Sequence, residues 1–136
     1  MKKIFIALCS ITLLSGCVST HQDVLGSHYS QVETRNYQSR IFDTSDRQMV
    51  LRSVISTLQD LGFIIDRADE TLGTVSGTSF MYASKLTVSV RPAGNTQMLV
   101  RANGQANLKE ITDPMAYQNF FNALSQSLFL EAHVVE

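Results

Sequence analysis

Basic residues are not in excess in this 136-residue chain, which has 11 Lys and Arg, 12 Asp and Glu, and a net charge of −1. Proteins that bind nucleic acid need a clear basic excess to neutralise phosphates, so the composition argues against such a partner. Cysteine is also scarce, since the chain has 2, Cys9 and Cys17. Because no cysteine follows position 17, a disulfide cannot stabilise the folded part, which depends on its apolar core.

The residue patterns of common enzymatic sites are missing as well. The histidines, His21, His28 and His133, have no helical ligand spacing, which argues against a metal site. Serine is never found in a Gly-x-Ser-x-Gly setting, and no lysine in register follows Gly73 and Gly77 as in a phosphate-binding loop. We therefore predict no catalytic residue, no metal and no bound cofactor, and we expect that the protein is not an enzyme.

Residues 1–16 have the layout of a secretory signal. Lys2 and Lys3 form a positive start, an apolar run covers residues 4–14, and the small residues Ser15 and Gly16 follow. The run is too short for a permanent membrane-spanning helix. We predict that residues 1–16 are a signal peptide that is removed.

The end of that run, Leu14-Ser15-Gly16-Cys17, resembles the lipobox of bacterial lipoproteins at all four positions. The resemblance implies a diacylglyceryl group on the Cys17 thiol, cleavage before Cys17 and acylation of the new amino group. Several acyl chains give stable anchoring where one gives marginal membrane residence. Val18 in place of aspartate resembles an outer-membrane address, so we expect an outer-membrane protein whose domain faces the periplasm. An ordinary signal peptide is the alternative.

The mature chain divides into a polar stretch and a domain. Residues 17–36 have no sustained hydrophobic periodicity, and we interpret them as the lipidated cysteine and a flexible tether. Residues 37–136 are predicted to form a single α+β domain, because the chain has 44% apolar and 17% charged residues, as globular proteins do.

The element order predicted for the domain is β-α-β-β-β-β-α. Apolar residues from Val50 to Leu61 recur at helical spacing, with Ser45 as the expected N-cap, Asp43 as a rival and Gly62 as the stop. Asp113 and Pro114 suit the start of the second helix. We expect an antiparallel sheet with both helices packed on one face.

The predicted strands differ in character. "GFIIDRA" reads as a short buried strand, whereas residues 84–91 and the segment 96–108 that pairs back with them place alternate side chains on opposite faces, as a one-sided hairpin does. The outward positions of this hairpin are hydrophilic and locally basic, and they are our candidate partner-binding residues: Lys85, Thr87, Ser89, Arg91, Arg101 and Asn103. This face is either the solvated side of the sheet or a docking surface whose charges steer a partner.

A second resemblance covers residues 42–77. Leu61-Gly62-Phe63 and the turn from Asp69 to Gly73 are similar to the repeated domain of BamC, a lipoprotein of the β-barrel assembly machine. The resemblance implies a helix-grip fold and an accessory role without catalysis. BamC-like proteins have two such domains and this chain has room for one, so the resemblance carries over the fold and not the contact residues.

These observations predict a lipid-anchored, non-catalytic envelope lipoprotein that acts as a protein-binding accessory module of an outer-membrane or secretion assembly. The alternative is a periplasmic carrier that holds a small hydrophobic ligand between helices and sheet, with residues such as Phe80, Met81, Tyr82 and Phe120. Sequence alone leaves open whether the loop "SFMYAS" is buried core, a flap or an apolar contact patch.

Overall fold

A computed structural model describes residues 31–133 of the chain. The predicted signal peptide, Cys17 and the tether up to residue 30 lie outside the described residues. In chain order, the elements are α1 (Gln31–Tyr37), β1 (Ser39–Phe42), α2 (Arg47–Asp60), β2 (Ile64–Asp69), β3 (Thr74–Ser79), β4 (Ser84–Ala93), β5 (Gln97–Ala106), β6 (Lys109–Glu110) and α3 (Pro114–His133).

The strands form one antiparallel sheet in the order β1-β5-β4-β3-β2, with the short β6 paired to the end of β5. The ten-residue strands β4 and β5 form the centre, with Val88 opposite Ala102 and Ser89 opposite Arg101. The α+β class, the antiparallel sheet and the predicted order are confirmed. Helix α1 and strand β6 are additions to the predicted order.

The core lies between the sheet and the two long helices. Burial alternates residue by residue along β4, so one face of the sheet is covered. The buried apolar side chains of the helices are Val50, Leu51, Val54, Leu58, Tyr117, Phe120, Phe121, Leu124 and Leu128. Those of the strands are Val75, Leu86, Val88, Val90, Met98, Val100 and Ala102. All belong to one hydrophobic cluster, as expected for both helices on one face.

The N-cap of α2 is Asp46, and the prediction of Ser45 was wrong by one position. Asp46 Oδ1 accepts a hydrogen bond from the Met49 amide at 2.9 Å, while Thr44 Oγ1 accepts one from the Asp46 amide at 3.1 Å. Serine and aspartate are about equally good N-caps, so local sequence did not distinguish them. The rival Asp43 instead accepts a hydrogen bond from the side chain of Gln97.

The other helix ends follow the prediction. Gly62 has φ 82°, and the Phe63 amide donates back to the Leu58 carbonyl at 2.9 Å, which closes the end of α2. Asp113 Oδ1 accepts a hydrogen bond from the Met115 amide at 2.9 Å, so α3 begins at its predicted cap.

Two segments differ from the prediction. Residues 31–36, assigned to the tether, are helical in α1, whose Tyr37 ring packs against Tyr117 with ring centroids 5.5 Å apart. Strand β2 is exposed along most of its length, because it is an outer strand of the sheet and not a buried one. Both differences arise from contacts between distant parts of the chain, which hydrophobic periodicity does not report.

A buried polar junction joins β1, β5 and α3. The Tyr117 hydroxyl donates to the Ile111 carbonyl at 2.8 Å and accepts from the Gly104 amide at 3.0 Å and the Gln38 side-chain amide at 3.3 Å. Tyr117 and Gln38 are each 1% exposed, and burial raises the pKa of Tyr117. We call these four residues, Gln38, Gly104, Ile111 and Tyr117, the tyrosine junction.

Replacing Tyr117 with phenylalanine should destabilise the domain by about 1–3 kcal/mol, because buried polar groups lose their hydrogen-bond partner. Urea unfolding of the full chain measures the change. Tyr82→Phe is the control, since Tyr82 is exposed in the turn after β3 and its variant should stay within about 0.5 kcal/mol of the original. Equal effects of the two substitutions would contradict the junction.

Gly73→Ala should destabilise the domain more than Gly94→Ala, although both glycines have similar left-handed backbones, with φ 69° and 73°. A Cβ at Gly94 meets nothing within 4 Å, so strain of about 1–2 kcal/mol is the expected cost. A Cβ at Gly73 would collide with the Val90 carbonyl, and forced overpacking adds about 1–3 kcal/mol. Thermal unfolding of the two variants tests the order, and a Gly94 variant that is the less stable would disprove it.

Candidate functional site

The candidate site is the face of the sheet opposite the helices. Thr87 lies opposite Asn103 and Ser89 opposite Arg101, while Lys85 pairs with Gln105 and Arg91 with Leu99. Side chains of directly opposite residues point to the same side of a sheet, so the structure brings all six predicted residues onto one face. Ser89 and Arg101 are half-buried and the other four are exposed. The predicted lipidation site, Cys17, lies outside the described residues.

Two arginines provide the free positive charge of this face. Arg101 lies opposite Ser89, two positions from Arg91, so the two arginines are diagonal neighbours on β4 and β5. Between residues 31 and 133, neither guanidinium has a hydrogen bond or an ion pair. Each therefore presents its full set of donors, which are suited to carboxylate or phosphate oxygens.

Lys85 is in a different electrostatic environment. Its Nζ lies 3.8 Å from Asp66 Oδ2, and the same carboxylate oxygen accepts a hydrogen bond from Thr78 Oγ1 at 2.7 Å. The sequence predicted a hydrophilic, locally basic face, and the structure shows that an acid of β2 reaches its margin. The cause is a β-bulge between Ile65 and Arg67, which brings Asp66 beside Lys85. A bulge has no reliable signature in a single sequence.

Asp69 also belongs to this acidic margin. It lies opposite Thr74, and its carboxylate accepts hydrogen bonds from the Leu72 amide at 2.9 Å and from Arg67 at 3.1 Å. The hydrogen bond from the Leu72 amide, aided by Arg67, holds the pKa of Asp69 below its ordinary value. This carboxylate therefore stabilises the turn after β2, and the basic character of the face is concentrated at Arg91 and Arg101.

An apolar pair adjoins the two arginines. Leu99 lies between Ile41 on β1 and Arg91 on β4, and Ile41 is 54% exposed. Neither apolar residue was among the predicted site residues. Leu99 is two residues from Arg101 on β5, so the alternation of the strand already placed both side chains on the same face. We call these four residues, Ile41, Arg91, Leu99 and Arg101, the arginine patch. Arginine next to apolar surface, without lysine or acid, is a composition typical of protein interfaces.

The free edge of β2 is a poorer docking element than this face. An unpaired edge can add a strand from another protein, but bulges and charged side chains oppose such pairing. Strand β2 has both, since its bulge adjoins the charged and exposed residues Asp66 and Arg67. The sheet face is therefore the better candidate for partner binding.

The four residues named for a carrier site are not brought together. Phe120 is 2% exposed in the core, where its ring packs edge-on against Phe121 with centroids 5.1 Å apart. Phe80, Met81 and Tyr82 are exposed in the turn between β3 and β4. Within the loop "SFMYAS", residues 80–83 are thus exposed, mostly apolar surface, while the flanking Ser79 and Ser84 are buried.

Across residues 31–133, no group of three or more histidine, cysteine, aspartate or glutamate side chains is placed to hold a metal ion. In the same part of the chain, none of the helices combines the length and apolar character needed to cross a membrane.

Comparison with protein-family models finds no match, and neither does comparison with curated proteins. The function proposed below therefore depends on the geometry of the site and on the sequence motifs.

Proposed function

We propose that this protein is a lipid-anchored, non-catalytic outer-membrane lipoprotein whose domain, on the periplasmic side, binds another envelope protein through the arginine patch. The observation that carries the proposal is the pair of free guanidinium groups, Arg91 and Arg101, beside the exposed Ile41 and the half-buried Leu99. The setting is supported by the lipobox that ends at Cys17 and by the resemblance to a BamC-like helix-grip domain.

The chemistry of the patch favours an acidic protein surface as its partner. A guanidinium binds a carboxylate through two parallel hydrogen bonds, which fixes orientation as well as charge. Free arginines also attract an acidic partner and so raise the rate of association. The apolar side chains of Ile41 and Leu99 would be removed from water on binding, which stabilises the complex. The partner surface should therefore present carboxylates around an apolar side chain.

The absence of catalysis is part of the proposal, and within residues 31–133 the shifted pKa values of Asp69 and Tyr117 are consistent with it. The pKa of Asp69 is lowered in an exposed turn that its own hydrogen bonds stabilise. The pKa of Tyr117 is raised by burial in a junction whose members join strands to a helix. Shifted pKa values often mark active sites, but here each has a structural cause.

A photo-reactive residue at Thr87 should crosslink in cells to one dominant envelope protein, because this position is exposed on the same face as Arg91 and lies diagonal to Arg101. Arg91→Glu should lower the yield of that adduct by about tenfold, since it replaces attraction by repulsion at the interface. Mass spectrometry of the purified adducts gives the identity and the yield.

Arg52→Glu is the matched control, because Arg52 is an exposed arginine on α2, away from the sheet face. The control should leave the adduct unchanged, since surface substitutions alter stability by about 0.5 kcal/mol or less. Scattered adducts, an adduct with an anionic glycolipid, or equal losses for the two variants would disprove docking through the arginine patch.

Cys17→Ala should abolish incorporation of labelled fatty acid, because the proposed thioether requires the Cys17 thiol. Cys9→Ala is the control and should keep the label, since Cys9 lies in the segment predicted to be removed. Intact mass of the purified protein also reports cleavage before residue 17. Label retained after Cys17→Ala would contradict the anchor.

A further inference from the structure

One end of the sheet carries a group of large apolar side chains on its surface. Among the described residues there, Phe80 is 78% exposed, Met81 83%, Tyr82 66% and Leu108 97%. The first three form the turn between β3 and β4, and Leu108 lies in the turn between β5 and β6. We call these four residues the apolar tip.

The two turns of the apolar tip lie side by side. Strand pairing places Ser84 opposite Ala106, and the Asn107 amide donates a hydrogen bond to the Ala83 carbonyl at 3.3 Å. The exposed side chains therefore form one patch and are not scattered. Single exposed apolar residues are ordinary, whereas a clustered patch marks an interaction surface.

Folding of the domain does not account for the residue types at the tip. Leu108 is almost fully exposed and has φ 65°, a left-handed backbone that glycine or asparagine adopts at lower cost. The Leu108 side chain therefore contributes no packing to the hydrophobic core. The aromatic rings of Phe80 and Tyr82 are likewise turned out of it. An external apolar environment would explain all three.

The direction of the chain indicates what that environment is. Strand β1 runs antiparallel to β5 and starts at Ser39, opposite Arg101 near the middle of β5, so the chain enters β1 from the half of the sheet that carries the apolar tip. Tyr37, just before β1, donates a hydrogen bond to the Thr112 carbonyl, close behind β6. The chain thus joins the domain on the same side as the apolar tip.

The segment before α1 is short. Between Cys17 and Gln31 lie residues 18–30, which span at most about 45 Å when fully extended. A lipid on Cys17 would therefore keep Gln31 within about 45 Å of the bilayer, and contact of the apolar tip would set the orientation of the domain within that reach. The other end of the sheet lies about 30 Å away along β4 and carries the acids Asp43, Asp46 and Glu70, with Leu72 as an exposed apolar residue.

We propose that the apolar tip lies in the interfacial region of the lipid bilayer and orients the domain with its acidic end away from the membrane. The proposal depends on the lipid anchor proposed above, which brings the tip to the surface. Aromatic side chains favour this region, and apolar side chains that enter it are removed from water. The tip adds contact to the anchor and sets the angle at which the arginine patch is presented.

Electrostatic attraction contributes little to this contact. Lys85 at the margin of the tip is paired with Asp66, and Lys109 is next to Glu110 in β6. Attraction of a polybasic surface to anionic lipids weakens as salt rises, whereas burial of apolar side chains does not. We expect tip contact to persist at high ionic strength.

The experiment uses the full chain isolated from membranes, with a genetically encoded fluorescent residue in place of Met81. The protein is reconstituted in vesicles of phosphatidylethanolamine and phosphatidylglycerol that contain doxyl-labelled phosphatidylcholine as quencher. The matched control carries the same residue in place of Asn95, in the turn at the other end of the sheet. Quenching at position 81 and not at position 95 is the expected result, at low and at high salt.

A leucine pair tests whether the side chains themselves make the contact. Leu108→Ser removes an apolar side chain at the tip, and Leu72→Ser removes another exposed leucine in a turn at the opposite end. We expect Leu108→Ser to lower the fraction of quenched probe at position 81 by about tenfold, in proportion to the apolar area that it exposes. Leu72→Ser should leave it unchanged.

The outcomes separate the tip from the anchor. Intact mass of the same sample reports acylation of Cys17, so a missing acyl mass would overturn the anchor whatever the fluorescence does. Equal quenching at positions 81 and 95, or none at position 81, would overturn the tip contact even when the acyl mass is present. A crosslink from position 81 to a single protein in cells, without quenching in vesicles, would assign the tip to a protein partner and also overturn the proposal.

Discussion

The Tyr117 hydroxyl is the interaction on which the arrangement of the sheet and its last helix depends. It bonds to the backbone of β5 and to the segment that leads into α3, and it accepts a hydrogen bond from Gln38 ahead of β1. Gly104 makes this approach possible, since a Cβ there would lie 3.3 Å from the hydroxyl and 2.9 Å from the Ile111 side chain. One buried hydroxyl therefore fixes β1 as the outer partner of β5 and sets where α3 crosses the sheet.

This one-sided core determines where function can lie. Because α2 and α3 both cover the same face, the opposite face keeps its side chains in water. The two arginines that lack partners among the described residues lie on that face, next to Ile41 and Leu99. The apolar tip lies on the half of the sheet from which the chain enters β1. A partner-binding face and a membrane-contact end would thus be perpendicular to each other, so the tip would hold the arginine patch at a constant height above the lipid.

The parts of the fold that follow from local pattern were predictable. The stripe from Val50 to Leu61 and the alternation in the central hairpin predicted α2, β4 and β5, since side chains repeat with the period of each structure. The six candidate partner-binding residues share a face for the same reason. The bulge near Asp66 and the fold of residues 31–36 were not predictable. Both depend on neighbouring strands or on Tyr117, which are distant in sequence.

By itself the sequence determined the α+β class, the element order and which residues of the hairpin share a face, because each of these depends on residues close together along the chain. The resemblance of residues 14–17 to a lipobox is likewise a local pattern. Tertiary structure alone decided which acids flank the basic face, that Arg91 and Arg101 have no partner among the described residues, and that Phe80 to Tyr82 join Leu108 at one end. Those facts depend on strand register and on the order of strands in the sheet. Register is set by the packing of the whole core, which no short segment of the chain contains.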